Sequence, residues 1–509
     1  MQEVPHRKPG DRVIRRAFVR PLHLRRVLGV AALYSAGYGN VGSSIYYALG
    51  IVALVALGAT PIALLAAGVL FVFTALSYSE GATMYPEAGG SASFARHGFN
   101  EHIGFVAGWA LLLSYIVTIS ISAFTISPYL GFFWEPLKTE PWIGTLFSIG
   151  IVVFLMGLNI IGVRETAFIN IGAAVVDVVT QVLLVLIGIV LIFTPGIVEF
   201  SVSNLYHHMF DVGNWPTTGN LIFGVALAAL AYTGVETVSQ MSEETRLPHV
   251  RVPIAMILMM FTVLIMFSGI SVVALSTMPP DVLAGEWARD PVAGIASKLP
   301  FSWLRSLFEP FVAVLAATIL LIATNAGLMG ISRLAFSMGS LGHLPSAFKR
   351  MHNRFRTPYV SIAVFSLVAV VILVPGLFLS NIVEVFADLG GLYTFGSLMA
   401  FAFAHASIIA LRIRKPDAER PFRLRPNIKI RGRDLPITAI IGLIATVAVW
   451  LVIIIEQDYS RWMGIGWMVI GIGSYSLYRW RKRKQQALET NEPGQPLKTS
   501  EPNKRKHQS

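Results

Sequence analysis

Ala36-Gly37-Tyr38-Gly39-Asn40-Val41-Gly42-Ser43-Ser44 interrupts an otherwise apolar run over residues 28–57. The run exceeds the roughly 20 residues that a helix needs to cross about 30 Å of hydrocarbon. Its centre, with three glycines and three polar residues in nine positions, is a poor helix interior, because glycine and short polar side chains favour other backbone states. A similar interruption falls at Ala231-Tyr232-Thr233-Gly234-Val235-Glu236-Thr237, inside the run over 219–241. The two lie five spans apart, and an odd separation makes the two helices run in opposite directions. Glycine-interrupted helices at matching places in two halves predict an inverted repeat with a polar site at the bilayer midplane. Glycines for close helix packing are the plainer reading of either stretch alone. The matched pair favours the site.

The rest of the chain is apolar in blocks. Of its 509 residues, 54% are hydrophobic and 13% charged, whereas a soluble domain carries about a quarter charged. Spans are expected near 28–57, 60–80, 103–131, 142–161, 167–193, 219–241, 253–276, 309–331, 358–376, 382–411, 436–455 and 462–478. Backbone groups find no water in hydrocarbon, so these blocks must be helices. The expected fold is all-α transmembrane, with about twelve helices: five plus five related by inversion, then two C-terminal additions. The corresponding units are a basic tail (1–27), a ten-helix core (28–411), a loop with two helices (412–481) and a polar, disordered tail (482–509).

Charge placement sets the orientation. With the N-terminus inside, 35 of the 40 Lys and Arg residues fall in inner segments. Only Lys138, Arg289, Lys298, Arg305 and Arg461 fall outside. By the positive-inside rule both termini face the cytoplasm of a multi-pass cytoplasmic-membrane protein. The net charge of +12 then reads as topology and contact with anionic lipid, not nucleic-acid binding. The absence of cysteine excludes disulfides, thiolate catalysis and Cys-ligated metals. No nucleotide loop, clustered metal set or Ser/His/Asp arrangement stands out, so neither enzyme nor cofactor is expected.

Five stretches, taken in order, resemble one family. Gly42-Ser43-Ser44-Ile45-Tyr46 looks like the first-helix Gly-Ser-Gly-Ile-Phe signature of the amino acid–polyamine–organocation (APC) permeases. Tyr78 to Ser91 is similar to the segment after their second helix. Leu158 to Glu165 resembles their fourth-to-fifth turn, Tyr232 to Pro248 their sixth helix and following loop, and Ser332 to Pro358 their eighth-to-ninth connection. The likeness covers about 28–411. It implies a LeuT-type five-plus-five fold and secondary transport by alternating access, often of amino acids with H⁺ or Na⁺. Two departures stand out: Ser44 replaces the usual glycine, and Tyr47 a small residue. The run from Asn40 to Tyr47 also resembles a potassium-transporting branch, which has aspartates near Asn40 and Ser114 where this chain is neutral. An inorganic-cation transporter and a non-transporting sensor on the same fold are therefore the rival expectations.

Candidate residues follow from chemistry and from that likeness. A zwitterion needs donors for its carboxylate and acceptors for its ammonium. Where a helix breaks, backbone N–H groups are freed and attract an anion. Val41, Gly42, Ser43 and Ser44, beside Asn40, are expected to offer such groups. Carbonyls around Tyr232, Thr233 and Gly234 are expected to accept the ammonium. Tyr232 is either an aromatic gate or a core tyrosine bonded to a neighbouring helix. Tyr115 and Tyr393, like Tyr38, are weaker candidates of the same kind. Asp177, in mid-span, is a functional candidate by default. It falls where the likeness places a lysine in some proton-coupled relatives. It can ligate Na⁺, carry H⁺, or sit as a neutral core acid. Thr324 and Asn325 can share an ion with it or bond between helices. Glu236 is a proton relay or an acid holding the broken backbone. Asp388 can be an accessory acid, and His405 is expected to be structural. Glu80, Glu87, Arg96, Arg164, Glu165 and Arg333 form either an inner charge network or ordinary helix ends. Oligomeric state is not legible.

Overall fold

The computed structural model describes residue 26 and residues 28–162, 167–379 and 382–490. Among the described residues, ten continuous helical segments are long and apolar enough to cross a membrane. The first, Val30–Met84, has 55 residues; drawn straight it would be about 80 Å long, far more than the hydrocarbon thickness. It folds back at Leu57, whose φ of 47° and ψ of −127° leave the helical basin. Thr60 and Pro61 then start a new helix, proline being tolerated in a first turn that needs no N–H.

That first segment therefore holds two spans: α1 (Val30–Val41) with α2 (Ile45–Ala56), and α3 (Thr60–Met84). A short α4 (Ser91–Gly98) leads to α5 (Glu101–Leu130), α6 (Pro141–Ile161) and α7 (Ala167–Ile192). The sixth span comprises α8 (Thr218–Ala228) and α9 (Val235–Gln240). It is followed by α10 (Pro248–Thr277), α11 (Ser302–Ser340), α12 (Tyr359–Leu373), α13 (Ile382–Arg414), α14 (Ile437–Glu456) and α15 (Asp458–Thr490). The protein is thus a multi-pass, all-α membrane protein.

The expected twelfth span is the first part of α15, which mixes glycine and serine with its apolar residues. Trp467 anchors it. Its Nε1 donates to the Trp109 carbonyl (2.9 Å), Trp109 Nε1 donates to the Trp467 carbonyl (2.8 Å), and the two rings stack at 4.6 Å. A side chain at Gly471 would put Cβ 2.1 Å from Trp109 Nε1, so glycine is required for this approach.

One expectation needs correction, and two loops carry structure of their own. The tail expected to be disordered from 482 is helical through Thr490, because Lys, Arg, Gln, Ala, Leu and Glu there all favour helix and proline first appears at 493. Residues 491–509 and 1–25 lie outside the described residues. The loop over 412–435 contains an antiparallel hairpin, Asn427–Ile430 with Arg433–Pro436. Its two-residue turn, Arg431 (φ 50°) and Gly432 (φ 77°), has the positive φ pair that suits the strand twist. The loop over 278–308 carries short helices at Pro280–Ala284 and Pro291–Ser297.

Among the described residues, the face bearing the basic loops is knitted by separate ion pairs. Glu80, on α3, is fully buried. It accepts Arg412 Nε (2.8 Å) and Nη2 (2.7 Å) from the end of α13, and the Leu424 N–H (2.8 Å). Glu87 pairs with Arg96 (2.7 Å) and His97 (3.1 Å). Arg333 reaches Glu244 at 3.3 Å. Arg164 and Glu165 lie outside the described residues. The His405 ring meets the Thr74 and Ser77 hydroxyls at 3.2 and 2.9 Å.

Candidate functional site

The two interrupted spans lie side by side, but they are interrupted differently. In the sixth span the helix tightens over Ala229–Tyr232 and then opens. Thr233 is extended (φ −78°, ψ 150°), and Gly234 has φ 118°. Only glycine takes that φ without strain. The opened backbone is held by Glu236, whose Oε2 accepts the Gly234 N–H at 3.0 Å. Of the two roles expected for Glu236, the structural one is therefore visible.

The first span bends without opening, which corrects the expectation of free amides there. Gly42–Ser44 forms one 3₁₀ turn between α1 and α2, and its backbone stays right-handed throughout. The Gly42 N–H donates to the Tyr38 carbonyl, and the Ile45 N–H to the Gly42 and Ser43 carbonyls. The Ser43 hydroxyl donates to the Asn40 carbonyl (3.0 Å), and the Ser44 hydroxyl pairs with that of Tyr47 (2.8 Å). Glycine and serine tighten the helix here because each serine finds a local partner. Val41 continues α1.

Between these spans lies a buried polar gap. Asn40 Nδ2 donates to Thr237 Oγ1 at 3.0 Å. Asn40 Oδ1 has no hydrogen-bond partner among the described residues, and neither do the Tyr78, Tyr115 and Tyr393 hydroxyls or Ser114 Oγ. All five residues are buried. Tyr78, Tyr115 and Tyr393 lie within electrostatic range of Glu236. Buried polar atoms are nearly always satisfied, so the unpaired Asn40 Oδ1 and the tyrosine hydroxyls near Glu236 make this break the candidate site for a polar guest. Tyr232 is not one of them. Its hydroxyl donates to the Leu64 carbonyl at 2.8 Å, and its ring packs on Phe71 and Phe267. That is the helix-bonding alternative of the two expected.

Asp177, on α7, forms a second centre. It is fully buried. Tyr46 Oη donates to Oδ1 (2.5 Å); Tyr38 Oη (2.8 Å) and Gln181 Nε2 (2.7 Å) donate to Oδ2. Tyr38 stands before the 3₁₀ turn and Tyr46 after it, so one carboxyl grips both halves of the first span. The structure does not join Thr324 and Asn325 to this centre by any described hydrogen bond. The Thr324 hydroxyl donates to the Leu320 carbonyl (2.8 Å), and Asn325 Oδ1 accepts from Asn159 (2.6 Å). Gln181 was missed in the sequence, although it lies four residues from Asp177 and so on the same helix face. Tyr46 was read only as part of a motif.

A family model described as amino acid permease matches residues 28–474. The chain belongs to that family. It is an amino acid transporter, not an enzyme, and its substrate is a small molecule. It is 24% identical to a branched-chain amino acid permease of Bacillus subtilis, over 89% of this chain and 93% of the relative. It is 28% identical to a branched-chain amino acid permease of Lactococcus lactis, over 91% and 96%. A vacuolar cationic amino acid transporter of Arabidopsis thaliana is 26% identical, over 78% of this chain and 65% of that protein. The permease match extends beyond residue 411, where the sequence likeness ended, and takes in the first added helix and the first half of the second.

Proposed function

We propose that this permease moves an amino acid by alternating access on an inverted five-plus-five repeat, driven by protons carried on Asp177. The carrying observation is the coordination of that carboxyl. A buried acid in a membrane span is costly unless partnered, and here three donors surround two oxygens. Sodium requires several converging oxygens with free lone pairs. Thr324 and Asn325 bond to the Leu320 carbonyl and to Asn159, and no described hydrogen bond brings their oxygens to Asp177. A proton requires none of these. When it binds, the carboxyl has one oxygen fewer to accept with, and Tyr38 and Tyr46 cannot both keep their hydrogen bonds to a full charge. The two halves of the first span are then released relative to α7, which gives the transition between outward and inward states.

The substrate's charged groups are assigned to the polar gap. Asn40 Oδ1 and the carbonyls at Thr233 and Gly234 suit an ammonium. The orphaned hydroxyls of Tyr115 and Tyr393 suit a carboxylate. Glu236 is committed to the backbone, so no free charge is left there for a charged side chain. A neutral amino acid fits best, and the branched-chain names of two relatives make leucine, isoleucine and valine the first to try. The basic face is assigned to the cytoplasm, and the membrane to the cell envelope.

Uptake of each labelled amino acid into proteoliposomes, under a proton or a sodium gradient, tests this. Accumulation of a neutral amino acid under the proton gradient alone is expected. Accumulation only under sodium would overturn the coupling, and no uptake of any amino acid would overturn the transport reading.

A further inference from the structure

On the face opposite the basic loops, a cavity of about 180 Å³ is lined by Tyr129, Phe132, Lys138, Trp287, Asp290 and Glu309, among others. Its charges are mixed and partly spent. Lys138 Nζ donates to Asp290 Oδ2 (2.7 Å) and sits 3.9 Å from the centre of the Trp287 ring. Arg289 Nη2 donates to the Lys138 carbonyl at 2.6 Å. Asp290 is 2% exposed, yet its Oδ1 has no partner among the described residues, and neither does the buried Trp287 Nε1. A buried carboxylate oxygen and a buried indole N–H, both idle on residues that line one cavity, are unusual in a purely structural cluster.

We propose that this cavity is a second amino-acid site, passed before the central gap. The ammonium is held by Asp290 Oδ1 and Glu309 against the aromatic faces. The carboxylate takes the Trp287 N–H and Lys138. The inference rests on the amino-acid reading above. Burial raises the Asp290 carboxyl above its ordinary range, against the pull of Lys138 and Arg289, which is the strain an arriving cation relieves. The site also touches the transport machinery. Tyr129 lines it, donates its hydroxyl to the Tyr46 carbonyl (2.9 Å), and accepts the Val292 N–H (3.4 Å) from the short helix that follows Asp290. Tyr46 is the residue that grips Asp177.

The test is equilibrium binding to the purified full chain. The probe is whichever of the twenty proteinogenic amino acids raises the thermal unfolding midpoint most. Two sites per chain are expected. Asp290→Asn should remove one and leave the other, Asn40→Ala should do the converse, and Glu309→Gln should weaken the outer site at least tenfold. Trp287→Phe keeps the ring under Lys138 and removes only the N–H, so it should weaken the outer site even if Asp290→Asn folds poorly. One site in the wild type, sensitive to Asn40→Ala and indifferent to Asp290→Asn and Trp287→Phe, would overturn this inference alone. Absence of binding by all twenty would overturn the amino-acid reading and this inference with it.

Discussion

Tyr46 Oη lies 2.5 Å from Asp177 Oδ1, and the bond ties the second half of the first span to the fifth span. Tyr38 makes the matching bond from the first half at 2.8 Å. A hydrogen bond to a charged group contributes about 1.5–3 kcal/mol. Tyr46→Phe should therefore lower proton-driven accumulation about tenfold or more while exchange of internal for external amino acid persists. Tyr38→Phe should do the same more weakly, because Gln181 shares its oxygen. Parallel accumulation and exchange assays on the same vesicles check the split. Equal losses in both would mean that the bond serves folding alone.

Gly234 allows the break in the sixth span. An alanine there would be strained at φ 118°, and its Cβ would stand 2.8 Å from Asn40 Nδ2. Gly234→Ala should reduce amino-acid binding at least tenfold and lower stability by about 1–3 kcal/mol. Binding and thermal unfolding in detergent measure both. Wild-type binding by the variant would place the substrate elsewhere.

Glu80 and Arg412 are both buried, and they join the second and tenth spans. Breaking one member of such a pair costs about 3–5 kcal/mol, whereas replacing both with apolar residues can be nearly neutral. Glu80→Met and Arg412→Leu should each depress the unfolding midpoint strongly. The double variant should recover most of the loss from Arg412→Leu, less the bond from the Leu424 N–H. Additive losses would show that the pair is not the unit of stability.

Glu87 gives a pH dependence with a definite sign. His97, Ser93 and Arg96 hold its carboxyl down to about 2, against some opposing burial. A depressed folded-state value means a contribution that is full above the unfolded carboxyl range. It is lost as pH falls from that range toward about 2. The midpoint of Glu87→Gln should therefore vary less than that of the wild type between pH 5 and pH 2.5. Identical slopes would remove Glu87 from the acid response.

The spans were legible because they are compositional: apolar blocks are helices by necessity. Asp177 and the glycine of the sixth span were legible as local exceptions within those blocks. What was not legible depends on long-range meetings. Nothing near Asp177 in sequence announces Tyr38 or Tyr46, and Glu80 meets Arg412 from 332 positions away. The contrast between the two interruptions was also hidden. Both carry glycine and hydroxyl residues, yet only the sixth-span interruption has residues, Thr233 and Gly234, that leave the right-handed helical region. In the first, Ser43 and Ser44 satisfy themselves locally and keep the turn closed. The outer cavity escaped because its charges come from two loops, at 138 and 287–290, that composition cannot pair.

Proteoliposomes loaded with a pH-sensitive dye give the most direct test of Asp177 as the proton carrier. Adding the transported amino acid outside, with no gradient imposed, should acidify the lumen in the wild type. In Asp177→Asn it should leave the dye signal flat while labelled amino acid still equilibrates. Lumen acidification by Asp177→Asn at the wild-type rate would contradict the account.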